Sequence, residues 1–102
     1  MPTILDALQH LGIDYADEVV TANVQRAMNT AIRIAKGAIG QDIEQYFGND
    51  ARLDELILAY TDDLYSERGV SAKVSNATRS LMQTIELQLR VELQGIKEAA
   101  AE

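Results

Sequence analysis

Apolar residues recur at helical spacing between glycines along most of this chain. Five of the six glycines, at positions 12, 37, 40, 48 and 69, fall where helices would be expected to end, and Pro2 is the only proline. Long alternating runs of β-branched residues are missing, so strands have little support. The pattern predicts a single all-α domain that resembles a four-helix bundle, with its ordered core between about residues 3 and 93.

The first two predicted helices differ in length and in the width of their apolar faces. The first spans about residues 3–11, with Thr3 as its cap and Gly12 as its end. The second spans about residues 17–36 and carries a broad face of small apolar side chains. So many alanines on one face predict close approach to a neighbouring helix.

A turn at residues 37–50 separates the second helix from the third. We expect Tyr46 and Phe47 to anchor this turn. The third helix spans about residues 51–68, and its expected core face consists of Leu53, Leu56, Ile57, Tyr60 and Leu64. Leu58 and Tyr65 lie to one side of that face.

The last predicted helix is the longest and has two apolar faces. It runs from about Ala77 to beyond Leu93, and its expected core face consists of Leu81, Met82, Ile85, Leu89, Leu93 and Ile96. Leu87 and Val91 lie on the opposite side, one turn apart. Residues 97–102 are expected to fray.

Composition excludes several classes of function. Sixteen acidic against nine basic residues give a formal charge of −7, which argues against autonomous nucleic-acid binding through a broad basic face. The absence of cysteine excludes disulfides, thiolate metal sites and a cysteine nucleophile. No apolar run approaches the roughly 18 residues of a membrane span, and no signal pattern opens the chain. We therefore expect a soluble, intracellular protein.

The titratable side chains do not form a recognisable catalytic or metal-binding motif. The densest carboxylates are Asp54-Glu55 and Asp62-Asp63 with Glu67, and they lack the glycine turn and alternating oxygen ligands of a calcium loop. We interpret them as a solvated helix face, and His10 as a surface or partly packed imidazole. No phosphate-binding loop or zinc-protease motif occurs. The sequence predicts no enzyme activity, no cofactor and no metal.

Two surfaces remain as candidates for contact with a partner. Arg26, Arg33 and Lys36 form the one basic stripe of an acidic chain; they either balance the acidic third helix within the molecule or meet an acidic neighbour or a passing nucleic-acid backbone. Leu87 and Val91 are either scattered exposed apolar residues or a packing patch for another subunit. We adopt the patch, with Leu58 and the basic stripe as further subunit-interface candidates.

The order of these features resembles a known family. The chain contains L-x-x-L-G-I-D at residues 8–14, Asp17-Glu18 at the start of an alanine-rich helix, Gly-Ala-Ile-Gly at 37–40, Leu-Tyr-Ser-Glu-Arg-Gly at 64–69, and Leu89-Arg90 in the last helix. Over roughly residues 3–93 it is similar to the small helical head–tail connector proteins of tailed bacteriophages, also called head-completion or adaptor proteins.

The most specific part of the resemblance is the tyrosine-x-x-arginine sequence at the end of the third helix, here Tyr65 and Arg68. The family often has asparagine before that arginine, where this chain has Glu67, and a basic residue where Gly12 stands. We assign Tyr65 and Arg68 to anchoring of the fold and of the following loop: the tyrosine packs, and the arginine satisfies carbonyls at the helix end.

The resemblance implies a structural role in the virion. Such proteins form a ring of about a dozen subunits with heterologous contacts beneath the portal protein. The ring extends the DNA channel and docks the next connector or the tail, and DNA passes without specific binding. It implies location at the head–tail interface, after a stage in the host cytoplasm.

A different class also fits the sequence. A small acidic helical regulator that binds another protein, as an anti-repressor or a nucleic-acid mimic, would use the acidic third helix as its active surface. Charge reversal at Asp54, Asp62 and Asp63 would abolish its binding and would matter less to a connector ring.

Overall fold

The described residues are entirely helical in their regular structure. The structure, a computed structural model, describes residues 1–15, 17–68 and 76–101, with the backbone alone at 66–68, 76–78 and 101. These residues contain no strand and form the helices α1 (Ile4–His10), α2 (Glu18–Ala38), α3 (Ile43–Phe47), α4 (Ala51–Arg68) and α5 (Asn76–Ala101). The predicted all-α class is confirmed, and the four predicted helices correspond to α1, α2, α4 and α5.

Helix α1 begins and ends as its sequence predicts. The backbone N–H of Thr3 donates to Asp6 Oδ2 at 2.8 Å, and the N–H of Asp6 donates to Thr3 Oγ1 at 3.2 Å, so each satisfies the other. At the C-terminal end, Gly12 has a φ of +72°, and the N–H of Ile13 donates to Leu8 O at 2.9 Å. Glycine at this left-handed position lets the chain turn out of the helix without a Cβ penalty.

The core lies between α2 and α4, which share the largest contact surface in the fold. Small residues on α2 meet larger aliphatic side chains on α4, which brings the two helix axes close together. The fully buried members of this contact are Val24, Ala31, Ala35, Leu53, Leu56 and Ile57. Helix α1 lies against both helices and buries Ala7 completely. The broad small-residue face predicted for α2 is therefore the main packing face of the domain.

The turn between α2 and α4 contains one short helix, α3. Ile43 is fully buried and Phe47 is 5% exposed, so both anchor the segment to the core. Tyr46 is 38% exposed. The expectation that Tyr46 anchors the turn is wrong, because α3 presents Ile43 and Phe47 inward and leaves the intervening tyrosine at the surface.

Helix α5 packs along the side of α4 through a narrow stripe. Met82, Leu89 and Leu93 are buried, whereas Leu81 and Ile96 are 59% and 38% exposed. The sequence placed the last two in the core. Ile96 is exposed because it lies past Glu92, which pairs with Arg52 in the first turn of α4, so α4 does not reach it. Leu81 is exposed although Met82 beside it is buried, because the two side chains point about 100° apart and only Met82 faces the core. The helix also continues to Ala101, past the expected fraying point.

The molecule is elongated, with principal extents of 50 × 28 × 18 Å. Because the molecule is elongated, its core is small and much of each helix surface faces outward. Among the described residues, no helix has both the length and the apolar character that crossing a membrane requires.

Candidate functional site

The outward face of α5 exposes an apolar pair among polar side chains. Leu87 and Val91, one turn apart, are 56% and 59% exposed. Exposed Ser80, Thr84, Gln88 and Gln94 lie on the same side at 100° per residue. The core stripe of α5 occupies the opposite side. The prediction that Leu87 and Val91 face away from the core is confirmed, and the exposed charged residues Arg90 and Glu98 lie near them on the same side.

The outward face of α2 carries the basic stripe. Arg26 and Arg33 are exposed and Lys36 is half-buried, on the side opposite the packed alanines. None of the three forms an ion pair with any described residue. The stripe points away from α4, because α2 packs on α4 through its other face. Among the side chains that the structure describes, no ion pair balances the stripe against the third predicted helix.

Leu58 does not belong to an exposed surface. It is 9% exposed and lies in the hydrophobic core, with Leu8 and Leu11 packed against the same cluster. Helix α1 covers the side of α4 that the helical pattern of α4 leaves open. Leu58 as a subunit-interface candidate is therefore corrected to a core residue, since its contact surface is already taken by its own chain.

The residues of the tyrosine-x-x-arginine motif lie at the C-terminal end of α4. Tyr65 is half-buried and packs against the core cluster, in agreement with a role in the fold. Arg68 is the last residue of α4, and its side chain lies outside the described residues. The same is true of Glu67 and of the loop at 69–75. The assignment of Arg68 to helix-end carbonyls stays a prediction.

Two of the acidic residues on α4 are held in ion pairs within the chain. Asp54 Oδ1 lies 3.1 Å from the N-terminal ammonium of Met1, and Asp63 Oδ1 lies 3.5 Å from Arg79 Nη2. Both carboxylates are partly buried, whereas Glu55 is exposed. The described residues contain no cluster of three or more potential metal ligands. Asp54 and Asp63 therefore connect elements of the fold, and Glu55 is the freer acidic side chain.

Arg52 connects the start of α4 to α5. Its guanidinium donates to Asp50 Oδ2 at 2.8 Å and to Glu92 Oε1 at 3.0 Å. These hydrogen bonds lower the pKa of both carboxyl groups and raise the pKa of Arg52. The network joins α4 to α5 across 40 residues of sequence, a contact that no local pattern could reveal.

Two further polar contacts hold α5 in place. The Tyr60 hydroxyl donates to Glu86 Oε2 at 2.6 Å, and burial together with this carboxylate raises the pKa of Tyr60. Arg90 Nε donates to the carbonyl of Ala38 at 3.0 Å, which satisfies an acceptor at the C-terminal end of α2. Leu87 and Val91 therefore lie on a helix whose rotation is fixed.

His10 lies in an open groove between α1 and α4. The groove has a volume of about 460 Å³ and is lined by Asp6, Gln9, His10, Asp54, Glu55 and Leu58 among others. The His10 side chain is exposed, and Asp6 accepts the hydrogen bonds from Thr3 that lower its pKa. The residues that line the groove include several carboxylates, but none of them is a nucleophile paired with a base.

Sequence reasoning missed two exposed apolar residues beside the basic stripe. Val19 is 68% exposed and precedes Arg26 by seven residues, and Ile34 is 42% exposed next to Arg33. The signal was present as the seven-residue spacing of Val19, Arg26 and Arg33. The α2 outward face thus combines unpaired cations with apolar surface.

The chain was compared with protein-family models, with curated proteins and with solved structures. None of the three comparisons gave a match.

Proposed function

We propose that this chain is a structural protein of a tailed-bacteriophage particle. In this role it is a head–tail connector that assembles into a ring, docks on the portal protein and extends the DNA channel toward the next connector or the tail. It acts through contact between proteins and performs no catalysis. The proposal rests on the family resemblance of the sequence and on the two outward helix faces.

The exposed pair Leu87 and Val91 carries the proposal. A small domain that already buries one side of α5 gains nothing for its own fold from a second apolar side. Two exposed apolar side chains one turn apart give a neighbouring subunit apolar surface to bury. Because the buried residues Met82, Leu89 and Leu93 pack α5 on the domain, the pair is presented in one orientation, which suits a repeated contact between identical subunits.

The charge of the chain suits a channel wall. At −7, the surface offers few cations to neutralise phosphates, so DNA would pass along it with little binding. The basic stripe on α2 is too small to reverse this balance. It is better suited to contact with an acidic protein surface.

Light scattering on a sizing column over a wide range of concentration tests the proposal. We expect the wild-type chain to form a species of about a dozen subunits at high concentration. Such a species supports a connector, since a monomeric regulator has no use for a ring. A chain that stays monomeric contradicts free assembly, and binding to a purified phage portal then decides between connector and regulator.

Serine variants of the apolar pair test its part in the assembly. Leu87→Ser with Val91→Ser should shift the assembly toward monomers while far-UV circular dichroism stays unchanged. Gln88→Ser with Gln94→Ser is the matched control, because it changes the same exposed face with a similar loss of helix propensity. Equal assembly by the two variants would remove the pair from the interface.

The acidic regulator remains the second candidate, and one observation favours it. The groove between α1 and α4 gathers Asp6, Asp54 and Glu55 on one open edge. Reversal of Asp54 or Asp63 would also break an ion pair of the fold, so those variants do not isolate binding. Glu55→Lys is the sharper test. A regulator should be a monomer before and after this change and should lose binding to its protein partner. A connector that uses Glu55 between its subunits should instead lose self-association.

A further inference from the structure

The basic stripe on α2 is the part of the described chain where positive charge has no internal partner. Arg52, Arg79, Arg90 and Lys97 each lie within 3.5 Å of a carboxylate. The remaining cations with described side chains are Arg26, Arg33 and Lys36, all on α2, and none of them is in an ion pair. Positive charge is scarce on this chain, so three unpaired cations on one helix face indicate a surface with a partner elsewhere.

This face also contains apolar surface at a regular spacing. Val19, Arg26 and Arg33 follow one another at intervals of seven residues, about 10.5 Å along the helix. Val19 is 68% exposed, and Ile34, beside Arg33, is 42% exposed. Val19 lies on the same side of α2 as the arginines, whereas Ile34 lies at the flank of that side. A partner that covers the stripe would bury Val19 while it neutralises the arginines.

An acidic ridge with the same spacing lies on the outward face of α4. Glu55 and Asp62 are also seven residues apart, on the side of α4 opposite Ile57 and Leu64. Glu55 is exposed, and Asp62 is half-buried and takes part in an interaction of its own. Ala51 is exposed beside Glu55, and its small side chain leaves room for another helix to approach.

The fold places the stripe and the ridge on opposite sides of the same helix pair. Helices α2 and α4 pack on each other through their inward faces, so their outward faces point in opposite directions. One copy can therefore present its stripe to the ridge of the next copy, and that copy can present its own stripe in turn. Such a heterologous contact repeats without end or closes into a ring.

We propose that a second copy of this chain occupies the α2 face, with Arg26 and Arg33 against Glu55 and Asp62 of that copy. The inference rests on the proposed connector function and names the contact by which its subunits meet. Two chains of charge −7 repel each other in most orientations, so the contact that joins opposite charges also selects the orientation.

Paired charge reversals test this contact. Arg26→Glu with Arg33→Glu, and separately Glu55→Lys with Asp62→Lys, should each weaken self-association at least about tenfold, since each places like charges opposite one another. An equimolar mixture should recover association, because the acidic stripe of one variant then meets the basic ridge of the other. Circular dichroism of each variant checks the fold. Variants that associate as the wild type does would overturn the proposal.

Engineered cysteines keep the test decisive when association is weak or when the Asp62 variant does not fold. The chain has no cysteine, so any disulfide must form between introduced positions. Arg33→Cys with Glu55→Cys, and Arg26→Cys with Glu55→Cys, place thiols on opposite sides of one molecule, too far apart to join within it. Oxidation of the concentrated chain with diamide should give a ladder of linked copies.

Arg33→Cys with Gln88→Cys is the matched control, and it should give no such ladder. A ladder confined to the Glu55 variants supports the contact even where light scattering finds monomers. If the Glu55 variants give no more linked copies than the control, the proposed contact is overturned. If the wild type then still forms a ring, the connector function stands with another interface; if it neither forms a ring nor binds a portal, the connector function fails separately.

Discussion

Replacement of Leu89 by alanine measures how firmly α5 is packed on the rest of the domain. Leu89 is fully buried at the centre of the contact stripe, between Met82 and Leu93. Removing its branched end loses the transfer free energy of the deleted carbons and leaves a cavity, for an expected loss of about 2–5 kcal/mol. Alanine is only slightly better than leucine as a helix former, so propensity offsets a few tenths of this at most.

The expected loss is a large fraction of the roughly 5–15 kcal/mol that holds a small domain folded. Urea denaturation followed by far-UV circular dichroism, at one fixed protein concentration, measures it directly. In a thermal scan the midpoint should fall by about 10 °C or more, since about 1 kcal/mol shifts a domain of this size by roughly 4–8 °C. Fixed concentration matters because self-association raises the apparent stability.

Leu87→Ala is the matched control, two residues away on the same helix. Leu87 is 56% exposed on the outward face, so at a protein concentration where the chain is monomeric its truncation should change the free energy of unfolding by no more than about 0.5 kcal/mol. The reasoning is refuted if the Leu89 variant loses less than about 1 kcal/mol, because α5 would then not be packed in solution. Equal losses from both variants would place Leu87 inside the fold instead of on a contact surface.

Three further perturbations test the helix ends and the ion pairs. Gly12→Ala should destabilise by about 1 kcal/mol in urea denaturation, because the φ of +72° disfavours a Cβ while nothing lies within 4 Å to clash with it; Gly12→Asn should lose less, and an equal loss would argue against strain. Arg52→Gln should lower the free energy of unfolding by less than about 1 kcal/mol at low salt and by almost nothing at high salt, because the ion pairs of Arg52 are exposed. A decrease that does not depend on salt would contradict the ion-pair explanation. The pKa values of Asp50 and Glu92 are lower in the folded chain than their ordinary values of 3.8 and 4.5, so these groups stabilise the fold above those values, and this stability is lost as pH falls through the lowered pKa values. In an acid titration, Arg52→Gln should therefore lose less of its free energy of unfolding than the wild type does.

Local signals in the sequence located most of the helices. The reciprocal hydrogen bonds of Thr3 and Asp6, the Asp17 cap and the turn at Gly12 all involve residues within five positions of each other. The periodic alanines of α2 likewise gave its packing face. Interactions this short in sequence are decided by the residues themselves, so they can be read without knowing the rest of the fold.

The candidate surfaces were only partly predictable. Leu87, Val91 and the basic stripe were found from the sequence, because each lies opposite the core stripe of its own helix. Leu58 was misplaced, because α1 covers it, and the acidic ridge at Glu55 and Asp62 was seen only as a general cluster of carboxylates. The structure shows that two of these acidic residues, Asp54 and Asp63, are held in ion pairs.

The sequence by itself determined where α1 begins and ends, through Thr3 and Gly12, and which side of α2 packs inward. The tertiary structure alone decided that Leu81 and Ile96 are exposed and that Arg52 joins α4 to Glu92, 40 residues away. The physical reason is that periodicity fixes only the direction of a side chain around its own helix. Burial depends on which other helix reaches that side, and this is set by contacts between segments that are distant in the chain.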